Sequence, residues 1–266
     1  QWEEALKMFE VMKEDNVEPD TITYNALISA CEKEGQWEEA LKVFKAMKQD
    51  NITPDTITYN ALISMCEKGK QFNEALKLFE SMKEDNVAPN TITYSTLISA
   101  FEKEGQWEEA LKVFKAMKED NIAPDTITYS ALISACGKRG QWEEALKVFK
   151  AMKEDNIAPD TITYSALISA FEKGGQWEEA LKVWEDMNEA GIPADIYTYN
   201  ALISACEKGD QWKEALKVLD HMKAVGVPGD DHTNKVLIRA SKKYGAHQWQ
   251  NVKEVQERMM RQMNKL

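Results

Sequence analysis

Two polar positions recur six times along this 266-residue chain. The first is held by Asn25, Asn60, Ser95, Ser130, Ser165 and Asn200, the second by Asp55, Asn90, Asp125, Asp160, Asp195 and Asp230. Asparagine offers a donor and an acceptor, serine a hydroxyl, and aspartate acceptors only. Groups of this kind make hydrogen bonds to a polar partner. Around the first of them, Thr-Ile-Thr-Tyr is nearly constant, so the polar type changes while its neighbours stay fixed.

The chain gives no ground for expecting catalysis. His221, His232 and His247 are the only histidines, and none recurs. Acidic pairs such as Glu38-Glu39 return in most copies and fit a solvated face. Cys31, Cys66, Cys136 and Cys206 share one slot that Phe101 and Phe171 fill elsewhere, so they are expected to be free thiols in a core. Zinc needs ligands clustered at short spacing, which these cysteines lack, so no metal and no cofactor is expected.

The spacing that carries the polar pair is a 35-residue block. Complete copies run 21–55, 56–90, 91–125, 126–160, 161–195 and 196–230. A half copy occupies 1–20, and 231–266 is a diverged last copy. The third and fourth copies differ at only four positions: Thr96/Ala131, Phe101/Cys136, Glu102/Gly137 and Glu104/Arg139. Blocks of this size bury their apolar faces only against neighbours, so 1–266 is expected to be a single repeat domain. Such near-identity suits a designed, consensus-like or recently duplicated array. Gln1 falls inside a block, as expected of a trimmed or engineered one.

Each copy predicts two helices. In the third, Tyr94, Leu97, Ile98 and Phe101 recur at helical spacing from Thr91 to about Lys103. Gly105 then takes the left-handed turn that ends a helix, as Gly35, Gly140 and Gly175 do elsewhere. A second helix follows from about Gln106 to Lys118, burying Trp107, Ala110, Leu111, Phe114 and Met117, with Glu108 and Lys112 paired outside. Asp-Asn-Ile-Ala-Pro-Asp (120–125) closes the block; its proline stops one helix and its aspartate caps the next. The expected fold is all-α, an α-solenoid superhelix of stacked antiparallel helix pairs with a concave groove.

Here the chain resembles the pentatricopeptide repeat family. The motif is Thr-Tyr-Ser/Asn-x-Leu-Ile-Ser, then Lys, then Gly-Gln-Trp-Glu-Glu-Ala-Leu-x-x-Phe-x-x-Met, then Pro-Asp, at a strict 35-residue period. The resemblance implies a sequence-specific binder of single-stranded RNA, one base per copy, without enzymatic activity; single-stranded DNA is the alternative nucleic acid. It implies that the fifth and last residues of a copy read the base edge. Asn25 with Asp55 then implies U, and Asn60 with Asn90 implies C, with U second. Ser95 with Asp125, Ser130 with Asp160 and Ser165 with Asp195 each imply G, and Asn200 with Asp230 implies U. The implied site is 5′-UCGGGU-3′. The second residues, Ile22, Ile57, Ile92, Ile127, Ile162 and Tyr197, would sandwich bases. The lysines at the thirteenth position, Lys33, Lys68, Lys103, Lys138, Lys173 and Lys208, would meet phosphates. Lys235 and Lys265 occupy the paired positions of the last copy, so no base follows there. A natural member would be expected in the mitochondrion or plastid.

Bland physics accounts for part of this. An aspartate before a helix is a good N-cap, worth ~1 kcal/mol. Lysines near a helix C-terminus favour its dipole. The net charge of −12 is unlike the basic footprint of most nucleic-acid binders. The runner-up is therefore a protein-binding or purely structural helical scaffold. Most acid falls on second helices, so a near-neutral groove, and a salt dependence no steeper than about six phosphate contacts, are expected. No stretch approaches the ~20 apolar residues of a membrane span. The half copy exposes Trp2, Leu6 and Phe9, which favours end-to-end self-association.

Overall fold

The structure, a computed structural model, describes residues 2–244. Trp249, His247 and Lys265, and with them much of the last copy, lie outside the described residues. Among the described residues there is no strand, only helices and short turns. The helices are α1 (Trp2–Glu14), α2 (Thr21–Lys33), α3 (Trp37–Gln49), α4 (Thr56–Gly69), α5 (Phe72–Glu84), α6 (Thr91–Glu104) and α7 (Trp107–Glu119). They continue with α8 (Thr126–Lys138), α9 (Trp142–Glu154), α10 (Thr161–Lys173), α11 (Trp177–Glu189), α12 (Ile196–Lys208), α13 (Trp212–Ala224) and α14 (Asp231–Tyr244). Every complete copy is thus one even-numbered and one odd-numbered helix, within a residue or two of the expected bounds.

The turns follow from local chemistry. Gly35, Gly105, Gly140 and Gly175 end first helices with φ between 66° and 72°. Asn51, Asn86, Asn121 and Asn156 end second helices at φ 56–59°, a conformation asparagine tolerates better than most residues. Lys70 and Asp210 take the glycine's place at φ 56° and 57°.

The chain forms two compact units, Gln1–Ala135 and Cys136–Leu266, with the boundary inside α8. In the first unit α2, α4 and α6 stand side by side, each against its own second helix, α3, α5 and α7. In the second, α10, α12 and α14 stand side by side, with α11 and α13 against α10 and α12. Each unit is an α-solenoid of stacked helix pairs.

First helices form the inner core. Tyr94, Leu97, Ile98 and Phe101 of α6 are all buried, as their spacing predicts. On α7, Ala110, Val113 and Met117 are buried, whereas Trp107, Leu111 and Phe114 are only half-buried, because second helices are covered on one side. Lys112 pairs with Glu109 at 2.6 Å, one turn on the other diagonal from the expected Glu108.

Copies are joined by an aromatic contact and a charged one. The second-helix phenylalanine meets the next copy's tyrosine edge-on: Phe44 with Tyr59 at 5.4 Å and Phe79 with Tyr94 at 5.3 Å between centroids. Such pairs add roughly 0.5–1.5 kcal/mol beyond area burial. Three buried tyrosines donate their hydroxyls to an aspartate of their own copy, Tyr24 to Asp50, Tyr59 to Asp85 and Tyr94 to Asp120, whereas Tyr199 meets His221 instead. The preceding copy supplies a lysine to the same carboxylates, Lys13 at 2.6 Å, Lys48 at 2.6 Å and Lys83 at 3.1 Å. In α1, Trp2, Leu6 and Phe9 are half-buried, Phe9 meeting Tyr24 edge-on at 5.2 Å, while Met8 and Val11 are exposed.

The cysteine slot is buried in all four copies. Burial pushes the Cys66, Cys136 and Cys206 thiols up to about 12, so each stays protonated and unreactive at neutral pH.

Candidate nucleic-acid interface

The last residue of each block is the N-cap of the next first helix. Asp20, Asp55, Asn90, Asp160 and Asp195 sit in extended backbone, and each side chain accepts from the amide of the threonine three residues on. Asp125 and Asp230 do the same towards Thr128 at 2.8 Å and Thr233 at 2.9 Å. Capping therefore accounts for this residue type without a ligand.

Capping does not account for what meets the cap. The fifth residue of a copy lies one turn into its first helix, and the fold returns the block's end to it. Asn25 donates to Asp55 at 3.0 Å, Asn60 to Asn90 at 3.2 Å, and Asn200 to Asp230 at 2.8 Å. Serine is too short to reach the cap directly. Ser95 instead bonds the Thr128 hydroxyl at 2.7 Å, and Thr128 donates to Asp125 at 2.7 Å. Ser165 reaches Asp195 through Thr198 in the same way, at 2.5 and 2.7 Å. Ser130 is buried at the end of the first unit, and Asp160 caps α10 in the second.

The serines are not free surface groups. Ser95 and Ser130 are 7% and 6% exposed, and the threonines that follow them are fully buried. These threonines (Thr58, Thr93, Thr128, Thr163, Thr198 and Thr233) are absent from a reading based on what varies, because they never vary. The signal for them is a hydroxyl three residues after an N-cap aspartate, a capping-box spacing.

Burial alone would raise the Asp55 carboxyl. The Thr58 amide, the Asn25 amide and the Thr58 hydroxyl override it and hold Asp55 below its ordinary value. At Asp230 the Thr233 amide is the leading cause of the same downward shift. Both are ionised at neutral pH and present an acceptor.

Beside each pair stands an exposed apolar side chain. Ile22, Ile57, Ile92, Ile127, Ile162 and Tyr197 are 62–77% exposed. Five isoleucines at one repeat position, each left in water, give a surface that invites flat apolar faces.

The thirteenth-position lysines are exposed, and at least three of them are paired with glutamates. Lys68 pairs with Glu32 at 2.9 Å, Lys103 with Glu67 at 3.0 Å and Lys208 with Glu172 at 2.7 Å, always with the preceding copy. The ninth-position serine joins the same glutamate, Ser64 with Glu32 at 2.8 Å and Ser204 with Glu172 at 2.9 Å. Arg239 continues the ladder to Glu207 at 2.7 Å. Gly137 stands where that glutamate would precede the copy of Lys173.

Among the described residues no group of three or more His, Cys, Asp or Glu could hold a metal ion, and no helix is long and apolar enough to cross a membrane.

A family model described as the pentacotripeptide-repeat region of PRORP matches residues 2–145, and one for the PPR repeat family matches 124–173, 166–208 and 194–243. No curated protein sequence matches the chain. Among solved structures, the pentatricopeptide repeat protein PPR10 from maize is 24% identical, covering 96% of this chain and 39% of its own, with a TM-score of 0.63. PPR10 in complex with an 18-nt psaJ RNA element is 22% identical over 90% of this chain and 41% of its own, at 0.52. The PPR domain of Arabidopsis thaliana protein-only RNase P 1 in complex with tRNA is 20% identical over 68% of this chain and 95% of its own, at 0.60. The chain spans about two fifths of the length of PPR10, and the likeness is one of fold. With family models matching along residues 2–243, the chain belongs to the pentatricopeptide repeat family.

Proposed function

We propose that this chain binds single-stranded RNA in a sequence-specific way, one base per copy, at 5′-UCGGGU-3′, without catalysis. The observation that carries the reading is the meeting of the fifth and last residues of a copy, thirty apart in sequence, beside an exposed apolar residue. Unstacked bases expose edges to such polar groups and flat faces to such apolar ones. PPR10 and the RNase P repeat domain have been solved with RNA, which agrees with the proposal.

The lysine ladder limits the affinity. Lys68, Lys103 and Lys208 already hold glutamates, so meeting a phosphate means exchanging one partner for another. Binding is therefore expected to be modest and only mildly salt-dependent. These lysine–glutamate pairs and the capping role of every last residue favour the second reading, a helical scaffold without nucleic acid.

Titration of UCGGGU RNA, its scrambled counterpart and the matching DNA at moderate salt separates these readings. Preference for UCGGGU RNA is expected. Equal or undetectable binding of the two RNAs ends the proposal, and equal binding of the DNA extends it to both nucleic acids. End-to-end self-association is a separate expectation, and sedimentation showing only monomer at high concentration removes it.

A further inference from the structure

In five copies the third residue makes a contact with the preceding copy that capping does not require. Thr58 serves the Asp55 cap twice, accepting from its backbone amide at 3.1 Å and facing its Oδ1 at 2.9 Å. It also faces Asn25 of the preceding copy, donating to its Oδ1 at 2.5 Å. Thr93 does the same for Asn60 at 2.6 Å, and Thr233 for Asn200 at 3.0 Å. In the serine copies, Thr128 and Thr198 bond Ser95 and Ser165 at 2.7 and 2.5 Å.

Proton counting gives these contacts a direction. The aspartate is acceptor-only, and a threonine hydroxyl has one proton. In a serine copy either hydroxyl of the Ser95–Thr128 bond could donate; with the Thr128 proton on the acceptor-only Asp125, at 2.7 Å, Ser95 donates its own inward to Thr128. Ser165 likewise has only inward acceptors, Thr198 and the Thr161 carbonyl at 2.7 Å. A serine held this way keeps only lone pairs for anything outside. In an asparagine copy the amide oxygen is taken by the threonine and one amide proton by the cap. The flipped amide would set its oxygen against the Asp55 carboxylate. The proton left over makes this residue an outward donor.

We propose that the buried third-position threonine is a positioning residue. It fixes the hydrogen-bond polarity of the preceding copy, with asparagine presenting a donor and serine an acceptor. The proposal rests on the one-base-per-copy reading and deepens it. A donor suits the carbonyl oxygens of U or C, and an acceptor suits the N1–H and amino group of G. It also makes each copy depend on the next. The diverged last copy, whose fifth residue is Lys235, nonetheless keeps Thr233, 3% exposed and bonded to both Asn200 and Asp230. That copy completes the sixth pair without reading a base itself.

The test uses the whole chain and RNA hexamers 5′-UCNGGU-3′, varying the third base, which falls to Ser95 and Asp125. Wild type is expected to prefer G there. Thr128→Val removes the hydroxyl while keeping the shape, and is expected to cut that preference roughly fivefold, the weight of one ordinary hydrogen bond. Preference at the fourth base, varied in a parallel set, is expected to hold. A merely structural threonine would weaken all bases alike. Thr128→Ser keeps the hydroxyl and is expected to keep the G preference. Thr198→Val repeats the test at the fifth base should Thr128→Val fail to fold. G preference retained in a folded valine variant, or lost in Thr128→Ser, overturns the proposal alone. A wild type with no preference at the third base overturns the underlying reading and the proposal with it.

Discussion

The Asn25 amide lies 3.0 Å from the Asp55 carboxylate, although thirty residues and a complete second helix separate them in sequence. Asp55 therefore works twice, as the N-cap of α4 and as partner to Asn25. The two roles can be separated. Asp55→Ala is expected to cost ~1 kcal/mol of stability, as lost caps do, and to erase the preference for U at the first base. Asp55→Asn keeps the cap and is expected to leave the melting temperature nearly unchanged while moving preference from U towards C. Thermal melts beside RNA titrations distinguish the two variants; identical behaviour in both would separate Asp55 from base choice.

Ser130→Asn exchanges one reading residue for the other in the fourth copy. Preference at the fourth base is expected to move from G towards U, with the remaining five positions unchanged. Competition binding with single-base variants of UCGGGU measures it directly, and an unmoved fourth position would remove the pairing argument.

Lys70 occupies a left-handed turn, φ 56°, where four other copies use glycine. A side chain there costs roughly 1–2 kcal/mol. Lys70→Gly is expected to raise stability by about 1 kcal/mol, measured by chemical denaturation. Asp210→Gly is expected to gain less. Asp210 shares the turn geometry but accepts from the Trp212 indole at 2.8 Å, a bond that glycine forfeits.

Gly174 is glycine for a different reason. A Cβ there would fall 2.3 Å from Cδ1 of Trp142, whose indole lies across the backbone. Gly174→Ala is expected to destabilise by roughly 1–3 kcal/mol, as overpacking does, through displacement of Trp142. Gly35, whose Cβ would meet nothing within 4 Å, is constrained by its φ of 68° instead. Tryptophan fluorescence during unfolding is expected to shift for Gly174→Ala and not for Gly35→Ala.

Acid should loosen the array through its aspartates. The lysine and tyrosine contacts hold Asp50 and Asp120 below the ordinary aspartate value of 3.8; hydrogen bonds and Lys48 do so at Asp85 against burial. Asp55 and Asp230 are lowered as well. A carboxyl whose pKa is depressed by folding stabilises the fold fully above its unfolded value and loses that contribution as pH falls through the folded one. Melting temperature is expected to be flat from neutral pH to about 4.5 and to drop below ~4. A drop beginning near pH 6 would point to other groups.

Periodicity carried the helix pairs and the core of the first helices, and glycine and proline chemistry carried the turns; Trp107, Leu111 and Phe114 of the second helix proved only half-buried. Tyr94, Leu97, Ile98 and Phe101 must share a face because a helix repeats every 3.6 residues, and Gly105 must turn because little else tolerates its φ. The polar pair was visible too, as the fifth position whose type varies and the last that repeats. What one block cannot show is which groups of different copies touch, since that depends on how neighbours stack. The stacking placed Thr128 between Ser95 and Asp125, and matched Lys68, Lys103 and Lys208 with the previous copy's glutamates. Helix geometry is local and is written in spacing. Hydrogen-bond and ion-pair partners across copies are set by distances that exist only once the copies are packed.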